Sequence, residues 1–246
     1  MNVGNAPFAV ISDIHGNLEA FLEVLADIHQ IGVDEIICLG DNIGYGPNPE
    51  EVVQKIRELD IPTVMGNHEL TILDKKALRW FNPVARTSLK KTIQFLSKAS
   101  IRYIRELPTW IVSHDCRFVH GFPPDSVRTY LFQISEEALL DTFKEMNEKI
   151  CFIGHTHMLK LIRFDGDSIT ENTLKEGVTK LDSDQRYIIN IGSVGQPRDG
   201  DSKAKYVIWD TDKNRLELRT VPYDVESVAE KIIAKGLPEA HARRLR

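Results

Sequence analysis

Short apolar runs alternate with segments whose apolar residues recur every three or four positions. Residues 8–12 (FAVIS) are apolar up to Ser12, the pattern of a buried strand. Over residues 17–30, Leu18, Phe21, Leu22, Leu25 and Ile28 fall on one helical stripe. Residues 35–40 (EIICLG) read as a second buried strand. Asn48, Pro49 and Glu51 then supply an N-cap, a first-turn proline and a capping-box acid. The inner face of that helix is Val52, Val53, Ile56 and Leu59, and residues 61–66 (IPTVMG) read as a third short strand. This order predicts a parallel sheet with helices on its faces.

Residues 70–107 break the rhythm. They are mostly helical in pattern, basic in places, and carry Trp80 and Phe81 near their start, which predicts a helical cap inserted over the sheet edge. Seven further apolar runs read as strands: TWIVSH, CRFVHG, KICFIG, LKLIRF, RYIINIG, KYVIWD and LELRTV. One helix interrupts them at about 135–147, through Leu139, Leu140, Phe143 and Met146, and a last one starts near Asp224. Turns such as DGD at 165–167 are short. There are no repeats and no low-complexity linker. The expectation is one α/β domain over residues 1–246, with two packed sheets.

Composition narrows the class. Of 246 residues, 42% are hydrophobic and 27% charged, which suits a soluble globular chain able to bury a core. The formal charge of -5 argues against a nucleic-acid surface. No stretch approaches the roughly 18 apolar residues of a membrane span. The segment MNVGNAPFAVIS has no basic start and too short an apolar run for a signal peptide. Cys38, Cys116 and Cys151 lie in apolar runs without a CxxC pair, as reduced core residues do. Together these predict a cytoplasmic protein.

The chemistry-bearing residues follow the strands. Asp13 and His15 come after the first, Asp41 after the second, and Asn67 and His68 after the third; His120, His155 and His157 follow later strands. Five of the eight histidines lie in these motifs, whereas His29, His114 and His241 have no such context. In an open α/β sheet, ligands bind at the carboxyl ends of the strands, so these groups converge. Imidazoles, carboxylates and one amide, without thiolate, suit Mn, Fe, Zn, Co or Ni. With His68 set aside, seven candidate ligands are enough for two ions with positions open to water and substrate.

At these residues the chain resembles the calcineurin-like metallophosphoesterase superfamily, in the small prokaryotic branch called diadenosine-tetraphosphatase-like or phosphodiesterase-like. The family pattern is Asp-x-His, Gly-Asp, Gly-Asn-His-Asp/Glu, a later His before Gly, and Gly-His-x-His. Here it reads Asp13-x-His15, Gly40-Asp41, Gly66-Asn67-His68-Glu69, His120-Gly121 and Gly154-His155-x-His157, in order. The resemblance implies a four-layer α/β/β/α sandwich of two mixed sheets flanked by helices. It implies that Asp13, His15 and His157 hold one metal, that Asn67, His120 and His155 hold the other, and that Asp41 bridges them with one oxygen on each. It makes His68 a catalytic group that faces the substrate and protonates the leaving oxygen. Two cations about 3.5–4 Å apart clamp the phosphate, and a bound water whose pKa falls to about 7 supplies the attacking hydroxide.

The departures are informative. Protein serine/threonine phosphatases carry an acid and an arginine where this chain has Gly44 and Tyr45, which argues against that role. The branch has a proline where NIGSVGQPR has Ile191. Gly192, Ser193 and Arg198 are candidate phosphate donors; Tyr45, Phe122 and Tyr130 are candidate stacking partners for a base. The implied function is hydrolysis of a small phosphodiester, nucleotide or nucleoside polyphosphate. A phosphomonoesterase, a protein phosphatase, a nuclease and a non-catalytic scaffold of the same fold are the alternatives. No membrane or nucleic-acid partner is expected; a homo-oligomer through Trp80, Phe81 or the C-terminal helix is left open.

Overall fold

The computed structural model describes residues 6–246. The reading that the chain begins without a leader rests partly on residues 1–5, which lie outside the described residues. In chain order the elements are β1 (Phe8–Ile11), α1 (Leu18–Gln30), β2 (Glu35–Cys38), α2 (Pro49–Glu58), α3 (Asn67–Leu73), α4 (Pro83–Gln94) and α5 (Lys98–Arg105). Then come β3 (Trp110–Ser113), β4 (Cys116–Val119), α6 (Glu136–Glu145), β5 (Ile150–Ile153), β6 (Leu159–Phe164), β7 (Ile169–Asn172) and β8 (Gly177–Lys180). The chain ends with β9 (Arg186–Ile191), β10 (Ala204–Asp210), β11 (Arg215–Val221), α7 (Val225–Ala234) and α8 (Glu239–Leu245). Short 3-10 helices span Lys75–Trp80 and Leu131–Gln133.

Two mixed sheets result, ordered β2-β1-β10-β11-β8 and β3-β4-β5-β9-β6-β7. Side chains alternate across each strand, so one run serves two cores. Phe8, Val10, Ile37, Phe118, Phe152, Ile189, Val207 and Trp209 meet between the sheets. Ala9, Ile11, Tyr206 and Ile208 face outward against Phe21 and Val24 of α1 and Val52 and Ile56 of α2. On the far side, Leu139 and Phe143 of α6 cover Cys151, Ile153, Ile162 and Ile188. These are the four layers, α/β/β/α. Asp27 of α1 locks the outer helix to its sheet. Its carboxylate accepts from Tyr206 Oη at 2.6 Å and bidentately from Arg219 at 2.7 and 2.8 Å.

Several expectations need correction. Residues 61–66 are not a strand: only one parallel bridge joins Thr63 to Cys38, because Pro62 has no N–H for a continuing ladder. The first sheet is not wholly parallel, since β10 pairs antiparallel with β1. The capping box at Asn48 is absent; neither its side chain nor Glu51 caps α2, and Leu59 is 50% exposed. The edge strands β7 and β8 have no apolar run to reveal them, and the C-terminus folds as two helices that pack on each other through Val228, Ile232 and Leu245. The three cysteines are free and buried. Between residues 67 and 105, α3, α4, α5 and a 3-10 turn pack Ile72, Leu96 and Ile104 onto Ile43 and Val53, over the loop that follows β2. Among the described residues no helix is long and apolar enough to cross a membrane.

Candidate metal centre

Both sheets deliver their strand ends to one place. The loop after β1 carries Asp13 and His15, and the loop after β2 carries Asp41. From the second sheet, His120 follows β4 and His155 and His157 follow β5, while Asn67 and His68 open α3. Backbone hydrogen bonds lace these loops: Asp13 N–H donates to Gly40 O, His15 N–H to Asp41 O and Gly195 N–H to Asp13 O, at 2.8–3.0 Å. Among the described residues ten that are not glycine have positive φ, and six lie here: Asp13, His15, Asp41, Tyr45, His155 and His157. Each such turn costs about 1–3 kcal/mol and persists only where its surroundings hold it. The loops must bend sharply as they leave the strands for the side chains to converge.

Each carboxylate has one oxygen anchored and one presented. Asp13 Oδ2 accepts from Ser12 Oγ at 2.6 Å and from His155 N–H at 3.1 Å, leaving Oδ1 buried without a hydrogen bond. Asp41 Oδ1 accepts from His68 N–H at 2.8 Å, so Oδ2 alone turns inward. It lies 3.8 Å from His15 Nε2, 3.8 Å from His68 Nε2 and 3.2 Å from His120 Nε2. The resemblance implied one Asp41 oxygen on each ion; here Oδ1 also accepts from the His68 N–H, while Oδ2 faces the three imidazoles.

The imidazoles are oriented the same way. His15 Nδ1–H donates to Ile43 O at 3.0 Å, His120 Nδ1–H to Leu39 O at 2.8 Å and His157 Nδ1–H to Gln196 O at 2.5 Å. A carbonyl only accepts, so these bonds fix the proton on Nδ1 and aim Nε2 at the centre. His155 is reversed, with Nε2–H on Arg128 O at 3.0 Å and Nδ1 left for the centre. His15 Nε2 and His157 Nε2 stand 3.1 Å apart, and Asp13 Oδ1 is 3.1 Å from His157 Nε2. Three lone-pair atoms facing one another at these distances repel unless a cation lies among them. Asp13, His15 and His157 thus form one cluster that could hold a metal ion, Asp41, His120 and His155 form another, and His15, Asp41 and His68 form a third that shares residues with both. Asn67 Oδ1, 3.1 Å from His120 Nε2, joins the second.

Burial and charge reinforce this. Burial opposes ionisation of Asp13, but the neighbouring His157, His120 and His15 outweigh it and hold its carboxyl well below the usual range. Burial, then the neighbouring imidazoles, pushes His15 and His68 well down and His155 to about 3. Burial also lowers His120, but Asp41 overrides it and draws the pKa up to about 9.

His68 lies beside both clusters without an anchor of its own: its Nδ1 is buried and makes no hydrogen bond. A Cβ on Gly44, whose φ is +90°, would stand 2.0 Å from that nitrogen. Tyr45 is half-buried, its ring 4.4 Å from His15, 4.6 Å from His68 and 4.7 Å from His241. It packs within the wall, and Phe122 lies in the core beneath α6, so neither presents a free face to a base. Tyr130 stacks on His155 at 3.8 Å and carries Phe132 at 4.9 Å. Gly192 and Ser193 are buried; Ser193 Oγ donates to Asp13 O and accepts from Gln196 N–H, so its hydroxyl supports the loop and is not free for phosphate. Arg198 is half-buried at the rim.

Two residues escaped the sequence reading. Glu69 accepts from the N–H groups of Asp41, Asn42, Ile43 and Gly66 at 2.8–3.2 Å and so shapes the Asp41 loop. Its burial, then the Asp41 charge, raises its pKa to about 7, with the nearby His120 and the Asn42 N–H opposing them. The acid closing Gly-Asn-His-Glu was the available signal. His241, with no strand-end context, brings its ring from α8 to 4.7 Å from that of Tyr45, tilted by 45°.

Comparison with known proteins agrees with this geometry. A family model described as the calcineurin-like phosphoesterase superfamily domain matches residues 7–214. An uncharacterised protein of Methanocaldococcus jannaschii is 38% identical over 243 residues, 96% of each chain. The crystal structure of a metallophosphoesterase from Sphaerobacter thermophilus superposes with a TM-score of 0.85 at 36% identity, over 98% of each chain. A hypothetical protein of Pyrococcus horikoshii shares the fold, with a TM-score of 0.76 at 18% identity over 98% of each chain.

Proposed function

We propose, for a chain that belongs to the calcineurin-like phosphoesterase superfamily and is therefore a metal-dependent hydrolase of phosphoester bonds, that it works with two divalent ions on a small phosphorylated substrate. Asp13, His15 and His157 hold one ion; Asn67, His120 and His155 hold the other. Asp41 would be shared between them, while its Oδ1 also accepts from His68 N–H. When bound, the ions neutralise charge on the phosphoryl oxygens and acidify a water enough to act as nucleophile at neutral pH. The observation that carries this reading is the pair of facing clusters, in one of which the buried Asp13 Oδ1 has no donor.

The protein's own groups supply position and protons. His68, neutral because burial depresses its pKa, donates a hydrogen bond through Nε2 to an oxygen of the attacked phosphoryl group. An incoming phosphate raises that pKa and readies the ring to protonate the leaving oxygen. Phe81 meets the His68 ring edge-on at 4.9 Å, so an apolar wall backs this donor and keeps water from it. A phosphodiester, nucleotide or nucleoside polyphosphate is the favoured substrate, since the candidate ligands are buried and Tyr45, Phe81 and Tyr130 pack their rings against His68 and His155.

Elemental analysis of the purified chain should give two divalent ions, and added Mn²⁺ should support hydrolysis of p-nitrophenyl phosphate or its bis ester. Asp41→Asn should lose both ions. Two ions retained in that variant would refute the bridging role, and absence of metal-dependent turnover in the wild type would refute the hydrolase reading.

A further inference from the structure

One turn of the helical cap touches the metal centre, and one arginine fastens that turn. The 3-10 helix Lys75–Trp80 stops where Phe81 and Asn82 become extended, as the residue before Pro83 is obliged to be. Carbonyls at such an end lose their helical partners. Leu78 O keeps only a long contact from Phe81 N–H, at 3.4 Å. Arg86, from the start of α4, reaches back to this end. Its Nε donates to Leu78 O at 2.9 Å, and its Nη2 donates to Phe81 O at 3.0 Å and to Arg79 O at 3.3 Å. Among the described residues, every side-chain hydrogen bond of Arg86 ends on a carbonyl of this one turn. A planar fork with a fixed charge holds several carbonyls in a set geometry, which a single rotatable ammonium does not match.

The turn carries two aromatic side chains to two sides of the centre. The Phe81 ring meets the His68 ring at 4.9 Å, at right angles. Its neighbour Trp80, 51% exposed, lies under the Arg128 guanidinium at 4.3 Å, and the Arg128 carbonyl is the acceptor that orients His155. His68 is the more dependent of the two. Its Nδ1 makes no hydrogen bond among the described residues, so the rotation of the ring is set by what packs on it. Those neighbours are the Gly44 backbone and the rings of His15, Tyr45 and Phe81. Phe81 alone comes from the cap, and Arg86 holds its main chain.

We propose that Arg86 is a positioning residue for the hydrolysis: its guanidinium fastens the Leu78–Phe81 turn and, through Phe81, keeps the His68 ring at the angle the attacked phosphoryl group needs. This rests on the role given to His68 above. Arg86 makes no hydrogen bond to His68 or to a candidate metal ligand, so it acts at one remove from the chemistry. A small rotation of His68 misdirects its proton without disturbing any ion, and turnover is where that is felt.

The test is a double-mutant cycle on the full chain in saturating Mn²⁺, with whichever of p-nitrophenyl phosphate and its bis ester the wild type turns over faster. Arg86→Ala should lower kcat roughly 10- to 100-fold, the scale of a misplaced catalytic group, while KM moves by less than about twofold. In the His68→Ala background the same substitution should change kcat by less than about twofold, since no ring is left to misplace. Arg86→Lys keeps the charge but not the fork and should stay within about threefold of Arg86→Ala. Lys90→Ala, which removes an exposed charge one turn further along α4, should leave kcat and KM unchanged. An equal loss in both backgrounds would show that Arg86 serves the fold at large and would overturn the proposal; so would wild-type kcat in Arg86→Ala or Arg86→Lys. Should Arg86→Ala not fold, Arg86→Gln, which can hold one carbonyl, goes through the same cycle and decides. Unchanged turnover in His68→Ala alone would remove His68 and Arg86 together, whereas failure of the cycle with His68→Ala impaired removes only Arg86.

Discussion

At the scale of single residues, the position of His68 depends on a glycine. Gly44 occupies the place where protein serine/threonine phosphatases carry an acid, and here no carboxylate partners His68 Nδ1. The ring is held by close approach to bare backbone. His68→Ala should keep its metal and lose roughly 10²–10⁴ in turnover, the usual share of a positioned acid. Gly44→Ala should lose a comparable amount, because its methyl group would meet Nδ1 at 2.0 Å and its φ suits glycine. Elemental analysis beside kinetics checks both: loss of metal in either variant would move that residue from chemistry to metal retention. The convergence of the candidate ligands was legible at this scale, because they sit at fixed short offsets after apolar runs. His241 was not, since it reaches the site from α8 by tertiary packing that leaves no local pattern. Nor could spacing say that Asp41 would spend one oxygen on a backbone N–H.

At the scale of elements, apolar runs marked the buried strands and the 3.6-residue stripe marked α1. What failed was what such signals do not encode. β7 and β8 are polar edge strands, and residues 61–66 look like a strand but stop at one bridge beside Pro62. The attachment of α1 shows how an element is fixed beyond its apolar face. Hydrogen bonds from Arg219 and Tyr206 depress the Asp27 pKa below its ordinary value, burial opposing them. A carboxyl depressed on folding contributes stability above its unfolded pKa and loses it as pH falls through the folded value. Asp27→Asn should therefore lower stability by roughly 1–2 kcal/mol at pH 7, the pair being partly solvated. The difference from wild type should shrink as acid denaturation proceeds below about pH 4. Urea melts at pH 7 and pH 3 measure it; an equal gap at both would show that lost packing, not charge, is responsible.

For the whole molecule, the metal centre is a seam. Asp13, His15 and Asp41 come from the first sheet, and His120, His155 and His157 from the second. Ions held here would cross-link the two sheets and offset the strain of six left-handed residues, so that metal affinity would become folding energy. A ligand present at 100 times its Kd adds about 2.7 kcal/mol. With roughly 2–4 °C per kcal/mol for a chain of this size, removing the metals with EDTA should lower the melting temperature by about 5–10 °C, and Mn²⁺ should restore it. An unchanged melt would mean that the two clusters hold no ion. The sequence implied convergence of the loops but not that it would bolt two sheets together.

The three cysteines have a practical consequence. All are buried, and burial raises their pKa values, Cys116 to about 12. Native thiolate is therefore scarce, and alkylating reagents should pass the folded enzyme by. A Phe132→Cys variant, at a position 74% exposed beside Tyr130, would offer the sole reactive handle. A fluorophore attached there would sit at the rim of the metal centre and report the arrival of substrate in real time.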